Sequence, residues 1–151
     1  MNPQSPLLTP AARRVLVTGA DGFVGRSVVK ALAQQPGIEA VFAQDVREVP
    51  TDRRVAGVMY QVQDVRAPSL VDSMAAGQID TVVHLASIVT PGKDSNRAFE
   101  YSVDVDGTRN VLNACVHGGV RHVVVSSSGA AYGYHADNPA WLTESDALRG
   151  N

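Results

Sequence analysis

Three glycines at positions 19, 22 and 25 follow directly on the apolar run 15–17, and they constrain the fold more than any other feature of the sequence. Gly19 can adopt backbone angles that a Cβ forbids, Gly22 lets a ligand approach the main chain, and Gly25 lets a helix pack closely on the strand. The spacing predicts a strand, a tight turn and a helix that begins at Phe23. The free N–H groups at such a helix start and the positive end of its dipole suit a pyrophosphate. An ordinary α/β corner has the same spacing, so the glycines alone leave a structural turn and a dinucleotide site both open.

An acid at the end of the next predicted strand favours the dinucleotide site. Asp45 closes the apolar stretch 40–45, twenty residues beyond Gly25. A carboxylate there can accept hydrogen bonds from the hydroxyls of a ribose and repels a 2′-phosphate, so NAD is favoured over NADP. Arg47, two residues on, keeps NADP open as the alternative. A polar residue that merely ends a strand is the structural alternative for Asp45.

Strand and helix patterns alternate along the chain and predict a parallel sheet with right-handed crossovers. We predict an α/β, Rossmann-type, doubly wound sheet in three layers with strand order 3-2-1-4-5, truncated after strand five. Strands one, four and five are nearly continuous apolar runs, typical of strands covered on both faces. The helix that would follow strand five is not in the sequence, so one face near strands four and five is expected to be uncovered. The predicted strands are 13–18, 40–45, 58–62, 81–85 and 122–126, and the predicted helices are 23–34, 68–74 and 96–116.

Composition restricts the class of protein and of partner. A chain of 151 residues with net charge −2 has the length of one domain and gives no electrostatic case for nucleic acid or an anionic membrane. No apolar stretch has the length of a membrane span. The single cysteine, Cys115, lies in a helical pattern and is expected to be a packed core thiol in a reducing, cytoplasmic compartment. Residues 1–12 are expected to be a disordered leader, and 13–151 the NAD-binding domain.

Several motifs in one order resemble those of the extended short-chain dehydrogenase/reductases, the NAD-dependent epimerase/dehydratase family. They are the Thr-Gly-x-x-Gly-x-x-Gly turn at 18–25, His-Leu-Ala at 84–86, Gly-Thr at 107–108 and Ser-Ser-Ser at 126–128 followed by Tyr-Gly at 132–133. The resemblance implies NAD as cofactor and an active-site serine at Ser128, whose hydroxyl orients the substrate oxygen. No metal is predicted, because the four histidines and Cys115 do not have the spacing of metal ligands. It implies cofactor contacts at Gly19, Asp21, Gly22, Phe23, Val24, Gly25, Asp45, Asp64, Val65, Leu85, Ala86, Ser87 and Ser126. In the family the pair at Asp64 contacts adenine and the segment from Leu85 passes the ribose and nicotinamide.

Two departures from the family pattern limit what the resemblance implies. The family's Tyr-x-x-x-Lys proton-transfer pair falls past Asn151, and neither Tyr132 nor Tyr134 has a lysine four residues later. Asp104 stands where the family often has an asparagine that anchors a water or the backbone, so it is not taken as a site residue. The chain is therefore expected to be the cofactor half of a longer enzyme, with the substrate region absent.

Two function classes follow. The first is an NAD(P)-dependent oxidoreductase, epimerase or dehydratase that acts on a nucleotide sugar or a related carbonyl or hydroxyl compound, with a homodimer among the expected states. The second is a non-catalytic dinucleotide-binding module or redox sensor, which the missing tyrosine and lysine favour.

Three further side chains are interpreted structurally. Asp21 is expected to cap the helix or face solvent, because an acid is unfavourable beside a phosphate. His84 is expected to be a buried histidine with its hydrogen bonds satisfied. Trp141 is expected to pack its loop onto the domain, with a place near a substrate cleft as the alternative.

Overall fold

The computed structural model describes residues 13–89 and 96–150, and it contains one five-stranded sheet. The sheet is parallel throughout with strand order β3-β2-β1-β4-β5, which confirms the predicted fold class. Pro91, Gly92 and Lys93 predict a loop, and both this loop and the expected leader 1–12 lie outside the described residues. The strands are β1 Arg13–Thr18, β2 Ile38–Asp45, β3 Met59–Val62, β4 Thr81–His84 and β5 His122–Val125, and the helices are α1 Phe23–Ala33, α2 Leu70–Ala76, α3 Arg97–Tyr101 and α4 Thr108–Gly118.

The central strand β1 supplies side chains to two separate cores. Alternate residues of a strand point to opposite faces, so Leu16 packs on one side and Val15 and Val17 on the other. Leu16 joins a cluster with residues of α2, β4 and α4, whereas Val15 and Val17 pack with Val29 of α1 and with β2. Helices therefore cover both faces of the sheet, and the carboxyl ends of its inner strands meet at one edge.

The spacing of apolar residues along 23–34 predicts an inner face of Val24, Val28, Val29, Leu32 and Ala33, but the apolar stripe of α1 is narrower than that. Val29 is fully buried, and Val28 and Leu32 pack against the core. Val24 is 54% exposed and Ala33 is also exposed, so the prediction that they face inward is wrong. Both lie at the ends of the helix, where it no longer covers the sheet.

The predicted helix over 96–116 is two α-helices joined by a π-helical segment, Ser102–Gly107. A Cβ on Gly107 would come within 2.8 Å of Val65 Cγ2, so the segment lies tightly against the loop that follows β3. Such π segments occur often at functional sites. Apolar periodicity does not reveal this one, because its six residues span little more than one turn of either kind of helix.

Strand β5 is exposed over its whole length, so the prediction that it is covered on both faces is wrong. Val123, Val124 and Val125 are 39%, 56% and 43% exposed. An uncovered face was expected near strands four and five. It is found at β5, whereas β4 is largely buried. Trp141 is 88% exposed and does not pack its loop onto the domain as predicted.

Among the helices of the described residues, none combines the length and the apolar content needed to cross a membrane.

The exposed strand predicts self-association. An edge strand with apolar side chains in water offers unpaired backbone groups and apolar surface to a second copy. Light scattering of the purified chain should show a mass that rises with concentration, and Val124→Lys should reduce that rise. Val116→Lys on α4, where the valine is 80% exposed, is the matched control and should change little. A monomer at all concentrations would contradict the prediction.

Candidate dinucleotide site

The glycine turn brings the start of α1 against the end of β1. Gly19 has φ +68°, and a Cβ on it would lie 2.8 Å from the backbone nitrogen of Ala86. A Cβ on Gly25 would overlap the carbonyl oxygen of Gly19 and lie 2.9 Å from Cα of Ala20. Both positions therefore require glycine, one for its backbone angles and both for space. Gly22 caps the helix in an extended conformation.

Phe23 and Val24 are the first residues of α1, and their side chains are exposed. The N–H groups of a helix's first turn have no partner within the helix. The N–H of Arg26 donates to the carbonyl of Gly22 at 3.0 Å, one turn earlier, so the N–H groups of Phe23, Val24 and Gly25 have no carbonyl partner within the helix. With the helix dipole they form an anion-binding end.

Asp45 lies at the carboxyl end of β2, beside this turn, and is 9% exposed. Its Oδ2 accepts a hydrogen bond from the N–H of Asp21 at 3.0 Å, and its Oδ1 accepts one from the N–H of Arg47 at 3.2 Å. A carboxylate has about four acceptor positions, so two remain for further donors. The structure thus brings the predicted ribose-binding acid to the glycine turn, with acceptor capacity to spare.

The side chain of Asp21 neither caps α1 nor faces solvent, which corrects the sequence interpretation. It is 10% exposed and forms ion pairs with Arg53 at 3.0 Å and with Arg26 at 3.7 Å. No side chain caps α1, because Gly22 occupies that position. The acid in the turn is therefore neutralised by arginines that are 32 and 5 residues away along the chain.

Asp64 and Val65 follow β3, and the structure gives them different environments. The guanidinium of Arg66 binds the Asp64 carboxylate with its Nη2 at 2.6 Å, and this hydrogen bonding lowers the pKa of Asp64. Val65 is buried in the core, and its carbonyl accepts a hydrogen bond from Asn110 at 2.7 Å. Arg66 also lies over the ring of Phe99, 5.1 Å from its centre. The predicted adenine-binding acid is therefore ionised and held in place.

A buried hydrogen-bonded row joins the end of β1 to β4 and α4. Thr18 Oγ1 lies 2.7 Å from His84 Nδ1, and His84 Nε2 lies 2.9 Å from Thr108 Oγ1. Thr18 Oγ1 also accepts the N–H groups of Leu85 and Ala86. Because its lone pairs are occupied, Thr18 donates its proton to Nδ1, and Nε2 carries the histidine proton toward Thr108. His84 is thus the buried, satisfied histidine that the sequence predicted, and burial lowers its pKa.

The segment that follows β4 lies directly against the glycine turn. Leu85 and Ala86 are half-buried there, while Ser87 is exposed. The N–H of Ile88 donates to Asp104 Oδ1 at 2.9 Å. Asp104, which the sequence did not predict as a site residue, therefore anchors this segment from the π-helical turn. The family pattern was the available signal, since an asparagine at that position also anchors the backbone.

The serine motif continues from the end of β5. Ser126 donates its N–H to the carbonyl of His84 at 3.1 Å, which places it beside the end of β4. The Ser128 hydroxyl is exposed and accepts the N–H of Ala130 at 3.2 Å, capping the short 3₁₀ turn Gly129–Tyr132. A hydroxyl that accepts one bond still has a proton to donate, so this capping contact is compatible with a role toward a substrate oxygen.

The geometry of these residues fits a dinucleotide. The space at Gly19 and Gly25 is one that a Cβ would fill, the α1 amides form an anion-binding end, and Asp45 has free acceptor positions.

A sequence model of the 3-beta hydroxysteroid dehydrogenase/isomerase family matches residues 16–141. The chain belongs to this family. The predicted resemblance to the extended short-chain dehydrogenase/reductases is thereby confirmed.

The relatives of this chain include proteins named as UDP-glucose 4-epimerases and proteins named as 3-beta-hydroxysteroid dehydrogenases. The chain is 35% identical over 127 residues to a UDP-glucose 4-epimerase of Azospirillum brasilense, covering 83% of the chain and 36% of that protein. It is 31% identical over 130 residues to a 3-beta-hydroxysteroid dehydrogenase of Mycolicibacterium neoaurum, covering 83% and 34%. The crystal structure of UDP-glucose 4-epimerase from Brucella ovis in complex with NAD superposes with a TM-score of 0.77 at 29% identity, covering 93% and 42%. The chain thus spans well under half the length of these family relatives.

The close contact at Gly25 predicts a large loss of stability for Gly25→Ala. The new methyl group would overlap the backbone of the turn, and backbone atoms cannot move aside cheaply. We expect the free energy of unfolding to fall by roughly 2 kcal/mol or more, measured by urea unfolding. Gly118→Ala, at the end of α4, is the control, because a Cβ there meets open space. It should be neutral or stabilise by up to about 1 kcal/mol. Equal effects of both substitutions would contradict this account.

The buried row predicts a loss of stability in mild acid. Burial lowers the pKa of His84 below its ordinary 6.5, so the folded state resists protonation that the unfolded state accepts. The stability contribution is complete above pH 6.5 and is lost as the pH falls from there toward the lowered pKa. The melting temperature should fall between pH 7.5 and 5.5, and His84→Gln should show a smaller fall. An equal pH dependence in both proteins would be the contrary result.

Proposed function

We propose that this chain is the cofactor-binding part of an NAD-dependent enzyme that moves a hydride to or from a secondary alcohol carbon. The observation that carries the proposal is the pairing of the glycine cradle with the acceptor positions of Asp45 at one sheet edge. The amides at the start of α1 would hold the pyrophosphate. Asp45 would accept hydrogen bonds from the adenosine ribose, and the pair Asp64 and Val65 would lie against the adenine.

The remaining predicted residues have roles toward the nicotinamide end. When bound, the dinucleotide supplies or accepts the hydride. Leu85, Ala86 and Ser87, which follow β4, would line the path of the dinucleotide. Thr18 binds this segment through the N–H of Ala86, and Asp104 binds it through the N–H of Ile88. Ser128 would donate a hydrogen bond to the substrate oxygen, since its acceptor side already binds the N–H of Ala130. The proton itself requires a second group, which the 151 residues do not supply as Tyr-x-x-x-Lys.

We further propose a nucleotide sugar as the substrate class, which is supported by relatives named as UDP-glucose 4-epimerases. A hydroxysteroid is the second candidate, supported by the name of the family and by the relative from M. neoaurum. Both substrates present a secondary hydroxyl on a ring, so the chemistry at Ser128 is the same for each.

NAD binding by the isolated chain tests the proposal. Isothermal titration should show saturable binding of NAD, weaker binding of NADP, and about a tenfold loss of NAD affinity in Asp45→Ala, since charge-assisted hydrogen bonds to ribose are removed. Hydride transfer from a sugar or sterol, followed by nicotinamide absorbance, should be negligible for these 151 residues. A folded sample that binds neither dinucleotide would overturn the proposal, and steady turnover would overturn the role given to the missing proton-transfer pair.

A further inference from the structure

The ion pair at Asp21 is the part of the site that the proposed function does not explain. One guanidinium nitrogen of Arg53 lies 3.0 Å from each Asp21 carboxylate oxygen, and Arg26 lies 3.7 Å away. An acid inside a phosphate-binding turn works against an anionic ligand. This one is 10% exposed and almost fully engaged with cations, so the turn carries little net charge of its own.

The ion pair lies beside the carboxylate that would bind the ribose. The backbone N–H of Asp21 donates to Asp45 Oδ2 at 3.0 Å, so one residue contacts Asp45 through its main chain and Arg53 through its side chain. Arg53 ends the short 3₁₀ turn Thr51–Arg53, and its side chain is 44% exposed. A long, half-exposed side chain of this kind is free to reach another anion nearby once its partner is removed.

We propose that Asp21 is a second determinant of the preference for NAD over NADP, because it keeps the Arg53 guanidinium away from the ribose 2′ position. The inference rests on the proposed NAD-binding function. Arginine binds phosphate through a planar fork of donors and is the side chain best suited to a 2′-phosphate. Asp45 disfavours that phosphate by repulsion, whereas Asp21 disfavours it by holding the guanidinium of Arg53. Two acids thus act on one position by different means.

Removing the Asp21 charge should therefore raise the affinity for NADP. In Asp21→Asn the side chain keeps its size but no longer holds Arg53, which becomes available to the 2′-phosphate. Titration calorimetry at low ionic strength, where exposed charges are least screened, should show about a tenfold gain for NADP and less than about a twofold change for NAD. Asp45 remains in place, so NAD should still bind at least as well.

The double variant Asp21→Asn/Arg53→Ala separates the proposal from a general charge effect. If Arg53 provides the gain, the double variant should return NADP affinity to near the wild-type value. A gain that persists without Arg53 would mean that loss of the Asp21 charge, or release of Arg26, is responsible, and it would overturn the proposal. Asp52→Asn is the matched control, since it removes an exposed acid next to Arg53 and lies outside the glycine turn 18–25, and it should leave both affinities unchanged.

Failure of this inference differs from failure of the proposed function. If the wild-type chain binds neither dinucleotide, the proposed function is wrong and Asp21 has no cofactor preference to determine. If the wild-type chain binds NAD and Asp21→Asn leaves the ratio of the two affinities unchanged, only the role of Asp21 in specificity is wrong. Asp21→Ser serves as a second variant should the asparagine variant not fold, with circular dichroism as the check on folding, and the same gain is expected.

Discussion

The contact between the start of α1 and the turn before it is the constraint on which the rest of the site depends. Gly25 places the helix so close to Gly19 and Ala20 that no other side chain fits. This closeness aims the helix dipole and the free amides at the end of β1. Gly19 in turn lies against the backbone of Leu85 and Ala86, so the same close packing brings the β4 segment into the site. Three elements meet there because two residues lack a Cβ.

Charge in the site is balanced locally rather than by a basic surface. The chain carries a net charge of −2, and two of its acids lie at the glycine turn. Backbone N–H groups bind Asp45 and leave acceptor positions on its carboxylate for the hydroxyls of a ligand. Arginines bind Asp21, which removes its field from the anion-binding end of α1. An anionic ligand can therefore approach a turn that contains an acid, because dipoles and amides supply the positive potential at short range.

The sequence predicted the features that depend on local pattern. Apolar runs located all five strands, the glycine spacing located the turn, and Asp45 and His84 were placed correctly because both lie at strand ends or within strands. Strand order followed from the general rules for doubly wound sheets and was confirmed.

The features that were missed depend on contacts between distant residues. Asp21 meets Arg53 across 32 positions, and nothing in the turn itself reveals that pair. The π-helical segment depends on Gly107 fitting against Val65, and the exposure of β5 depends on what covers it rather than on its own apolar run. The burial of an apolar strand such as β5 therefore cannot be predicted from its own residues, because it depends on the elements that pack against it.

The two halves of the site differ in how firmly they are held, and this difference follows from burial. On the side of β1, β2 and β4, the functional groups are buried or paired: Asp45 by two amides, and Leu85 and Ala86 by a threonine that His84 holds in turn. On the side of β5, Ser128 is exposed and is oriented by one capping bond. Under the proposed function, binding of a dinucleotide would draw mainly on the first set, whereas orientation of a substrate oxygen would draw on the second and tolerate misplacement poorly. Affinity for the cofactor and orientation of the substrate oxygen would therefore be separable by substitutions on one side of the site or the other.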